Sequence, residues 1–179
     1  TASFGDTVLA HLAHTTLPGI RIVLLDTGYL FAETQWFAER VAKRFGFNLE
    51  VIGPDADAAP DQWQYDTDGC CAARKVRPLQ RALADADVWI TGLRRGDSAS
   101  RASTPPAHVD LFNDVIKLNP IADWGDDYVA AYQRRHDLPQ NPLTERGYPS
   151  IGCWPCTAPV REGDDPRSGR WADSDKTEC

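Results

Sequence analysis

The stretch Arg21-Ile-Val-Leu-Leu-Asp-Thr-Gly28 decides the fold class of this chain of 179 residues. Its first five residues are mostly apolar and include the β-branched Ile22 and Val23, which is typical of a strand buried inside a parallel sheet. The polar residues Asp26-Thr27-Gly28 then predict a loop. The sequence therefore predicts a buried parallel strand that ends at Leu25 and is followed directly by a polar loop.

Helical and strand patterns alternate after this first strand. Phe37, Val41 and Phe45 recur at helical spacing and Gly46 follows them, which predicts a helix over residues 31–45. Further strands are predicted over residues 49–52, 87–93 and 115–118, and further helices over residues 70–83 and 126–135. This alternation is typical of an α/β domain, in which a parallel sheet is flanked by helices.

Loops at the carboxyl ends of the predicted strands are the expected place for a ligand, because parallel sheets bind ligands there. That rule selects Asp26-Thr27-Gly28 and Gly92-Leu93-Arg94-Arg95. The loop Thr1–Asp6 precedes an apolar helical segment, and its Ser and Gly offer backbone N–H groups at a helix N-terminus, where an anion is favoured. An ordinary helix cap is the alternative interpretation of that loop.

The composition indicates one globular domain, since 42% of the residues are hydrophobic. Residues 139–179 are rich in Pro, Gly and charge without periodicity, so we expect them to form an irregular C-terminal arm of the same domain as residues 1–138. No apolar run long enough for a membrane span and no signal-peptide pattern is present, so we expect a cytoplasmic protein with no membrane partner. The chain lacks Met and begins at Thr1, so we expect further residues upstream.

The net charge of −7 argues against a nucleic-acid partner, which needs a broad basic face. The basic residues are nevertheless clustered, and such local clusters are typical of a site for a small anion, although a solvated surface is the alternative for each one taken alone. The clusters are Arg74-Lys75-x-Arg77, Arg94-Arg95 with Arg101, and Arg161 with Arg167 and Arg170.

The strongest chemical signal comes from two cysteine pairs, Cys70-Cys71 and Cys153-Trp-Pro-Cys156. Four thiolates from two distant segments indicate a tetrahedral-sulfur site, either an iron–sulfur cluster or zinc. Vicinal cysteines favour a cluster, because a cubane presents separate iron corners, whereas zinc sites space the members of a pair. Four merely buried thiols remain an alternative. A thioredoxin-type redox pair at Cys153 and Cys156 is disfavoured, because the flanking residues predict no strand before it and no helix after it.

Motifs along the whole chain resemble the assimilatory adenylyl-sulfate (APS) reductases of the PAPS/APS reductase family, where PAPS is 3′-phosphoadenylyl sulfate. The motifs are Cys70-Cys71-x-x-x-Lys75, Thr91-Gly92-Leu93-Arg94-Arg95, Asn141-Pro142-Leu143, Gly147-Tyr148-x-Ser150-Ile151-Gly152-Cys153-x-x-Cys156-Thr157, Arg167-x-Gly169-Arg170-Trp171 and Lys176-Thr177-Glu178-Cys179. The resemblance implies an adenine nucleotide α-hydrolase-like fold with a modified pyrophosphate loop at Thr1–Asp6. Family members that reduce PAPS usually lack both cysteine pairs, so the resemblance also implies APS as substrate.

The resemblance assigns roles to individual residues. It implies one [4Fe–4S] cluster on Cys70, Cys71, Cys153 and Cys156, with Cys179 as the catalytic nucleophile. Ser3 and Asp6 would belong to the nucleotide loop. The phosphosulfate would be held by Lys75, Arg167 and Arg170, whose ammonium and guanidinium groups suit a dianion. The remaining substrate-binding residues would be Leu25, Asp26 and Gly28 at the adenine, with Gly92, Arg94, Arg95 and Arg101.

Two features depart from the family pattern. Ser98-Ala99-Ser100 differs from the usual sequence before Arg101, which weakens the assignment of that arginine. The family usually continues past the catalytic cysteine to a histidine, and this chain ends at Cys179, so that histidine is not assigned.

The resemblance implies a two-step reaction. The Cys179 thiolate attacks the sulfur of APS and AMP leaves, which gives an enzyme S-sulfocysteine; reduced thioredoxin then releases sulfite. Three alternatives stay open: a PAPS reductase, an iron–sulfur tRNA-thiolation enzyme, and a zinc-stabilised nucleotide-binding module. The sequence leaves the oligomeric state open, with a homo-oligomer among the alternatives.

Overall fold

The computed structural model of the chain describes residues 1–172 and residue 176. These residues contain five strands in two small sheets: β1 (Arg21–Leu25), β2 (Asn48–Ile52), β3 (Val88–Ile90), β4 (Ala107–Asp110) and β5 (Val115–Leu118). In the first sheet β1 pairs with β2 in parallel, from Arg21 opposite Asn48 to Leu25 opposite Ile52. In the second sheet the order is β3-β5-β4, with β3 parallel and β4 antiparallel to β5.

The first two residues join the two sheets. The Ala2 N–H donates to the Val23 carbonyl of β1 at 2.9 Å. The Thr1 nitrogen donates to the Ile90 carbonyl of β3, also at 2.9 Å. The chain before the loop Ser3–Asp6 therefore runs between β1 and β3, and it positions that loop between the two sheets.

Helices cover these strands. They are α1 (Val8–Thr16), α2 (Ala32–Phe45), α3 (Thr67–Cys71), α4 (Arg77–Leu83) and α5 (Asp126–Arg135), and a π-helical turn, Ala72–Val76, joins α3 to α4. Helix α2 ends where Gly46 adopts a left-handed conformation with φ of 72°, a position that favours glycine. Helix α5 begins with two aspartates and ends with two arginines, which complements its macrodipole.

The main hydrophobic core lies between β1 and α2. Ile22 and Leu24 of β1 pack with Phe37 and Val41 of α2, and Phe4 from the N-terminal loop joins them with only 1% of its surface exposed. Burying such side chains supplies most of the favourable free energy of folding. The core thus includes a residue of the loop that the sequence assigns to ligand binding.

The structure agrees with the predicted α/β architecture, and it differs in several element boundaries. The strand predicted over residues 87–93 is shorter, Val88–Ile90, although the Thr91 N–H still donates to the Leu118 carbonyl at 2.9 Å. The helix predicted from residue 70 begins at Thr67, because the Asp66 carboxylate caps it by accepting from the Gly69 N–H at 2.8 Å.

The sequence analysis missed strand β4, which makes the second sheet mixed rather than parallel. The strand is only four residues long, too short for an alternating pattern to be recognised. The turn that follows it is stabilised by Asp110, whose Oδ1 accepts from the N–H groups of Phe112 and Asn113. A second correction is small: β2 begins at Asn48, one residue before the prediction.

The residues after 138 form no strand or long helix within the part that the structure describes, only the short 3₁₀ turns Thr144–Arg146 and Trp154–Cys156. This agrees with the irregular arm that the composition predicts. Within residues 1–172 and residue 176, no helix is both long and apolar enough to span a membrane.

Candidate active site

The two cysteine pairs lie on one narrow cleft. Its lining comprises aromatic, basic and thiol side chains: Thr27, Tyr29, Trp63, Thr67, Cys70, Cys71, Arg74, Lys75, Cys153, Pro155, Cys156, Arg170 and Trp171. We call this the cysteine cleft. The four cysteines are thiols rather than disulfide partners of one another. The cleft therefore brings together the cysteines that the sequence analysis selected as a ligand set.

The first pair is presented by one face of the continuous helical segment from α3 to α4. Cleft residues on this segment are three or four positions apart, which is the spacing of one helix face: Thr67, Cys70 and Cys71, then Arg74 and Lys75. The π-helical turn Ala72–Val76 begins immediately after Cys71. Single π-helical turns inside α-helices are frequent at functional sites.

The second pair is carried by the C-terminal arm, which folds back against the loop after β1. Cys153 forms an isolated antiparallel bridge with Leu30, and the Trp154 N–H donates to the Tyr29 carbonyl at 2.8 Å. The Trp171 N–H donates to the Cys156 carbonyl at 3.0 Å, which fixes the far side of the pair. Backbone hydrogen bonds thus hold the second pair between the loop after β1 and Trp171.

Thr27 connects the cysteine cleft to the loop after β1. Its hydroxyl lies 3.1 Å from the Cys153 sulfur. Its carbonyl accepts from Arg74 Nη1 at 3.0 Å. A single loop residue therefore contacts both the cysteine-bearing arm and the cysteine-bearing helix. The sequence predicted this loop on the ligand side but indicated no separate role for Thr27.

Arg74 is a cleft residue that the sequence analysis named only as part of a basic cluster. It is buried, its Nη2 donates to the Ala59 carbonyl at 2.9 Å, and its guanidinium carbon lies 4.5 Å from the centre of the Tyr29 ring. A buried guanidinium of this kind is rare unless hydrogen-bonded. Arg74 could have been predicted as a cleft residue, because it lies four positions after Cys70 on the same helix face.

Two of the three cations predicted to hold a phosphosulfate, Lys75 and Arg170, line the cysteine cleft. The Arg170 guanidinium lies 4.5 Å from the Trp171 ring centre, and its Nη1 is 3.4 Å from the Ser150 hydroxyl. Arg167 is outside the lining, with its guanidinium carbon 5.9 Å from the Trp171 ring centre. A Cβ at Gly152 would overlap the Arg170 guanidinium and displace it, so the absence of a side chain permits this close approach.

Residue 176 contacts the helix that carries the first cysteine pair. Lys176 forms an ion pair with Asp68, which lies two residues before Cys70 on α3. Cys179, the predicted nucleophile, lies outside the residues that the structure describes.

The Ser3–Asp6 segment, hereafter the N-terminal loop, has donors available for an anion. Within residues 1–172 and residue 176, the backbone N–H groups of Phe4, Gly5 and Asp6 donate to no protein acceptor. Ser3 is exposed, and Asp6 Oδ1 accepts from the Val8 N–H at 2.8 Å at the start of α1. Unpaired N–H groups that precede a helix form an electropositive concavity.

The surroundings of Asp6 place the N-terminal loop near the carboxyl end of β3. Desolvation of the Asp6 carboxyl by the surrounding protein raises its pKa, while the Val8 N–H bond and the nearby Arg94 act in the opposite direction. Gly92 lies beside the first helix, since a Cβ on it would be 3.4 Å from Leu9 Cδ2. Asp6, Gly92 and Arg94 therefore belong to one region of the fold.

The loop after β1 is held in a fixed turn. Leu25 ends the strand opposite Ile52, and Asp26 Oδ1 accepts from the Gly28 N–H at 2.8 Å. Asp26 Oδ2 accepts from Gln35 Nε2 at 3.0 Å. Gly28 has φ of 75°, and a Cβ there would lie 3.2 Å from Arg74 Nη1, so both conformation and space favour glycine.

The remaining predicted arginines are ion-paired and do not line the cysteine cleft. Arg94 pairs with Asp126 at 2.7 Å and with Asp97 at 2.9 Å. Arg101 pairs with Asp97 at 3.2 Å. Arg95 pairs with Asp123, and its Nε donates to the Thr104 carbonyl at 2.8 Å. Their role in substrate binding stays a prediction.

Comparison with known proteins identifies the family. Residues 1–159 match the family described as the phosphoadenosine phosphosulfate reductase domain. The chain belongs to this family.

Several relatives in the phosphosulfate reductase family match almost the whole chain. The chain is 44% identical to an adenosine 5′-phosphosulfate reductase of Streptomyces coelicolor, over 100% of this chain and 79% of that protein. It is 40% identical to an adenosine 5′-phosphosulfate reductase of Mycobacterium tuberculosis, over 99% of this chain and 73% of that protein. An adenosine 5′-phosphosulfate reductase of Allochromatium vinosum is 42% identical, over 93% of this chain and 69% of that protein.

Solved structures agree with the phosphosulfate reductase fold. A phosphoadenylyl-sulfate reductase from Candida auris, determined as a phosphate complex, superposes with a TM-score of 0.76 and 25% identity over 88% of this chain and 81% of that chain. An FMN adenylyltransferase from Candida glabrata superposes with a TM-score of 0.56 and 18% identity, over 76% of this chain and 42% of that chain. This match shows likeness of fold alone. The predicted adenine nucleotide α-hydrolase-like fold is confirmed.

The cysteine cleft also contains side chains that could act as metal ligands. Among residues 1–172 and residue 176, no three His, Cys, Asp or Glu side chains are grouped as ligands of one metal ion. The four thiols on the cysteine cleft are the soft donors that an iron–sulfur cluster or a zinc ion takes, so the chemistry of the donor set fits either group.

Proposed function

We propose that this chain reduces adenylyl sulfate to sulfite and AMP, as an oxidoreductase of assimilatory sulfate reduction and cysteine biosynthesis. The observation that carries the proposal is the cysteine cleft: two cysteine pairs and the cations Lys75 and Arg170 lie on one cavity, which Thr27 joins to the loop after β1. The names of the relatives that match nearly the whole chain support the same substrate.

The proposed reaction has two steps. The Cys179 thiolate attacks the sulfur of APS, an S–S bond forms, and the bond from sulfur to the bridging oxygen breaks, so that AMP leaves with its electron pair. A thiolate of reduced thioredoxin then attacks the Cys179 sulfur and sulfite leaves. The second thiol of thioredoxin resolves the mixed disulfide and restores Cys179. The dithiol supplies both electrons.

The cations of the cleft stabilise the substrate's negative charge. Lys75 and Arg170, with Arg167 nearby, bind the phosphosulfate, since ammonium and guanidinium groups satisfy its oxygens. The N-terminal loop, with Ser3 and Asp6, binds the nucleotide. Adenine lies beside Leu25, Asp26 and Gly28, and the other contacts come from Gly92, Arg94, Arg95 and Arg101.

Cys70, Cys71, Cys153 and Cys156 would hold one [4Fe–4S] cluster, because they supply four soft thiolates on one cleft. When bound, this group supplies a fixed architecture and an electrostatic field around Lys75. The Thr27 hydroxyl beside the Cys153 sulfur supports the ligand role of that cysteine, since outer hydrogen bonds orient metal ligands.

The cellular setting belongs to the same proposal. We expect the protein in the cytoplasm, where thioredoxin is reduced and thiols persist. Neither a nucleic acid nor a membrane takes part in the reaction, and a homo-oligomer is compatible with it.

The test is sulfite release from APS and from PAPS, measured side by side with reduced thioredoxin. We expect a kcat/KM for APS at least about 100-fold above that for PAPS, since specific contacts of a binding site give discrimination of this order. Equal or faster turnover of PAPS would overturn the substrate assignment, and no sulfite from either compound would overturn the activity.

A further inference from the structure

Asn141 is a fully buried polar residue for which the proposed reaction gives no role. It lies in the C-terminal arm, within the motif Asn141-Pro142-Leu143, and none of its surface is exposed. It does not line the cysteine cleft. A buried amide is costly unless all its groups are hydrogen-bonded, so its contacts indicate why the fold retains it.

The contacts of Asn141 link the arm to the N-terminal loop. Its Nδ2 donates to the Phe4 carbonyl at 3.0 Å and to the Thr34 hydroxyl at 3.2 Å. Its Oδ1 accepts from the Leu143 N–H at 3.0 Å. These contacts fix the orientation of the amide, because an N–H at Leu143 requires the oxygen on its side and a carbonyl at Phe4 requires the nitrogen on the other.

Phe4 adopts a backbone conformation that needs such support. Its φ is 52°, in the left-handed region that residues other than glycine rarely occupy and that costs about 1 kcal/mol or more. Two contacts hold it there: the ring is buried in the main core, and the carbonyl is held by Asn141. The left-handed Phe4 lies between Ser3 and Gly5, so its conformation sets where the amides of the N-terminal loop point.

We propose that Asn141 is a positioning residue, which keeps the N-terminal loop in its nucleotide-binding conformation by holding the Phe4 carbonyl. The amides of Phe4, Gly5 and Asp6 are then directed at the substrate before it arrives, which lowers the cost of binding. Asn141 acts through Phe4 and touches neither substrate nor the reacting sulfur. The role rests on the proposed function, and it adds the residue that prepares the nucleotide half of the site.

Asn141→Asp is the decisive variant, because it is nearly the same size and keeps an oxygen for the Leu143 N–H, but it places a second oxygen against the Phe4 carbonyl. Thr34→Val is the matched control: it is also buried and removes the other partner of Asn141 Nδ2, while it leaves the bond to Phe4 intact. Asn141→Ala is the second variant, which removes the hydrogen bond to the Phe4 carbonyl without adding a buried charge. All are prepared as the full-length protein, and each folded fraction is determined by its melting curve.

Three measurements separate positioning from general damage: the Kd for AMP by calorimetry, the KM and kcat for APS, and amide exchange of residues 4–6 with and without AMP. We expect Asn141→Asp to raise Kd and KM about tenfold, which corresponds to about 1.4 kcal/mol, with kcat changed less than about twofold. With AMP bound, amide exchange at residues 4–6 should be faster in Asn141→Asp than in the wild-type protein, because the amides are no longer held toward the nucleotide. Thr34→Val should keep the wild-type Kd within about twofold even where its melting temperature falls.

An Asn141 variant, Asp or Ala, with the wild-type Kd and KM would overturn the positioning role, and so would an equal loss of affinity in Thr34→Val. Wild-type protein that neither binds AMP nor releases sulfite from APS would overturn the proposed function together with this role. If the wild-type protein binds AMP and releases sulfite, and an Asn141 variant has the same Kd and KM, only the positioning role of Asn141 is overturned.

Discussion

The cysteine cleft and the N-terminal loop are built in opposite ways. In the cleft, side chains from a helix and from the C-terminal arm meet around one cavity, and backbone hydrogen bonds only hold them in place. In the loop, the unpaired groups are backbone amides, and buried side chains, Phe4 and Asn141, hold the backbone in place. The comparison teaches that side chains shape one region of this molecule, whereas the backbone conformation shapes the other.

The largest effect is expected from the cysteine ligands. Cys70→Ser and Cys156→Ser should each abolish the absorption band of a thiolate-bound iron cluster and lower kcat/KM by about 100-fold or more, because each removes one of four ligands. Iron, sulfide and zinc analysis of anaerobically prepared protein checks the cause. One zinc per chain without sulfide would show that the cleft holds a different group.

The second effect tests whether the loop after β1 depends on its backbone shape. Gly28→Ala puts a Cβ 3.2 Å from Arg74 Nη1 and also strains a residue with φ of 75°. We expect a KM for APS about tenfold higher, because Arg74 must move away from the Thr27 carbonyl. Steady-state kinetics measures this.

Gly46→Ala is its matched control. Gly46 has a similar φ of 72°, but a Cβ there meets nothing within 4 Å. Both variants should therefore lose about 1 kcal/mol of stability from the left-handed alanine, while only Gly28→Ala should affect KM. A normal KM in Gly28→Ala would remove the link between this loop and the substrate.

The cysteine cleft was largely predictable from sequence, and the support of the N-terminal loop was not. The four cysteines and Lys75 carry their chemistry in their side chains, so spacing and residue type were enough to select them. Phe4 and Asn141 are 137 positions apart, and nothing in either residue type signals a left-handed backbone or a hydrogen bond across the fold. Strand β4 was missed for a related reason, because its pairing with β5 is tertiary.

The smallest effect concerns the packing of α1 against α5, away from both regions. His11 is buried, its Nδ1 lies 2.9 Å from the Tyr132 hydroxyl, and its ring centre is 4.9 Å from that of His136. Burial first, and then the neighbouring His136 and His14, lower the pKa of His11 below its ordinary 6.5. The unfolded chain therefore binds this proton more readily, so the stabilisation is complete above pH 6.5 and is lost as the pH falls below it.

His11→Gln should make the melting temperature less sensitive to acid. The amide retains a partner for the Tyr132 hydroxyl but does not titrate. Between pH 7.5 and pH 5.5 the wild-type melting temperature should fall about 2 °C or more further than that of the variant, with APS turnover at pH 7.5 unchanged. Equal acid sensitivity in both proteins would contradict the cause assigned to the His11 shift.

The proposed reaction depends on a covalent intermediate on Cys179. Mass spectrometry of wild-type protein mixed with APS in the absence of thioredoxin tests it most directly, with Cys179→Ser as the control. We expect one added sulfonate on Cys179 of the wild-type protein, which is released as sulfite when reduced thioredoxin is added. The Cys179→Ser variant should still bind APS but form no adduct. An adduct on another cysteine, or sulfite release by Cys179→Ser at the wild-type rate, would contradict it.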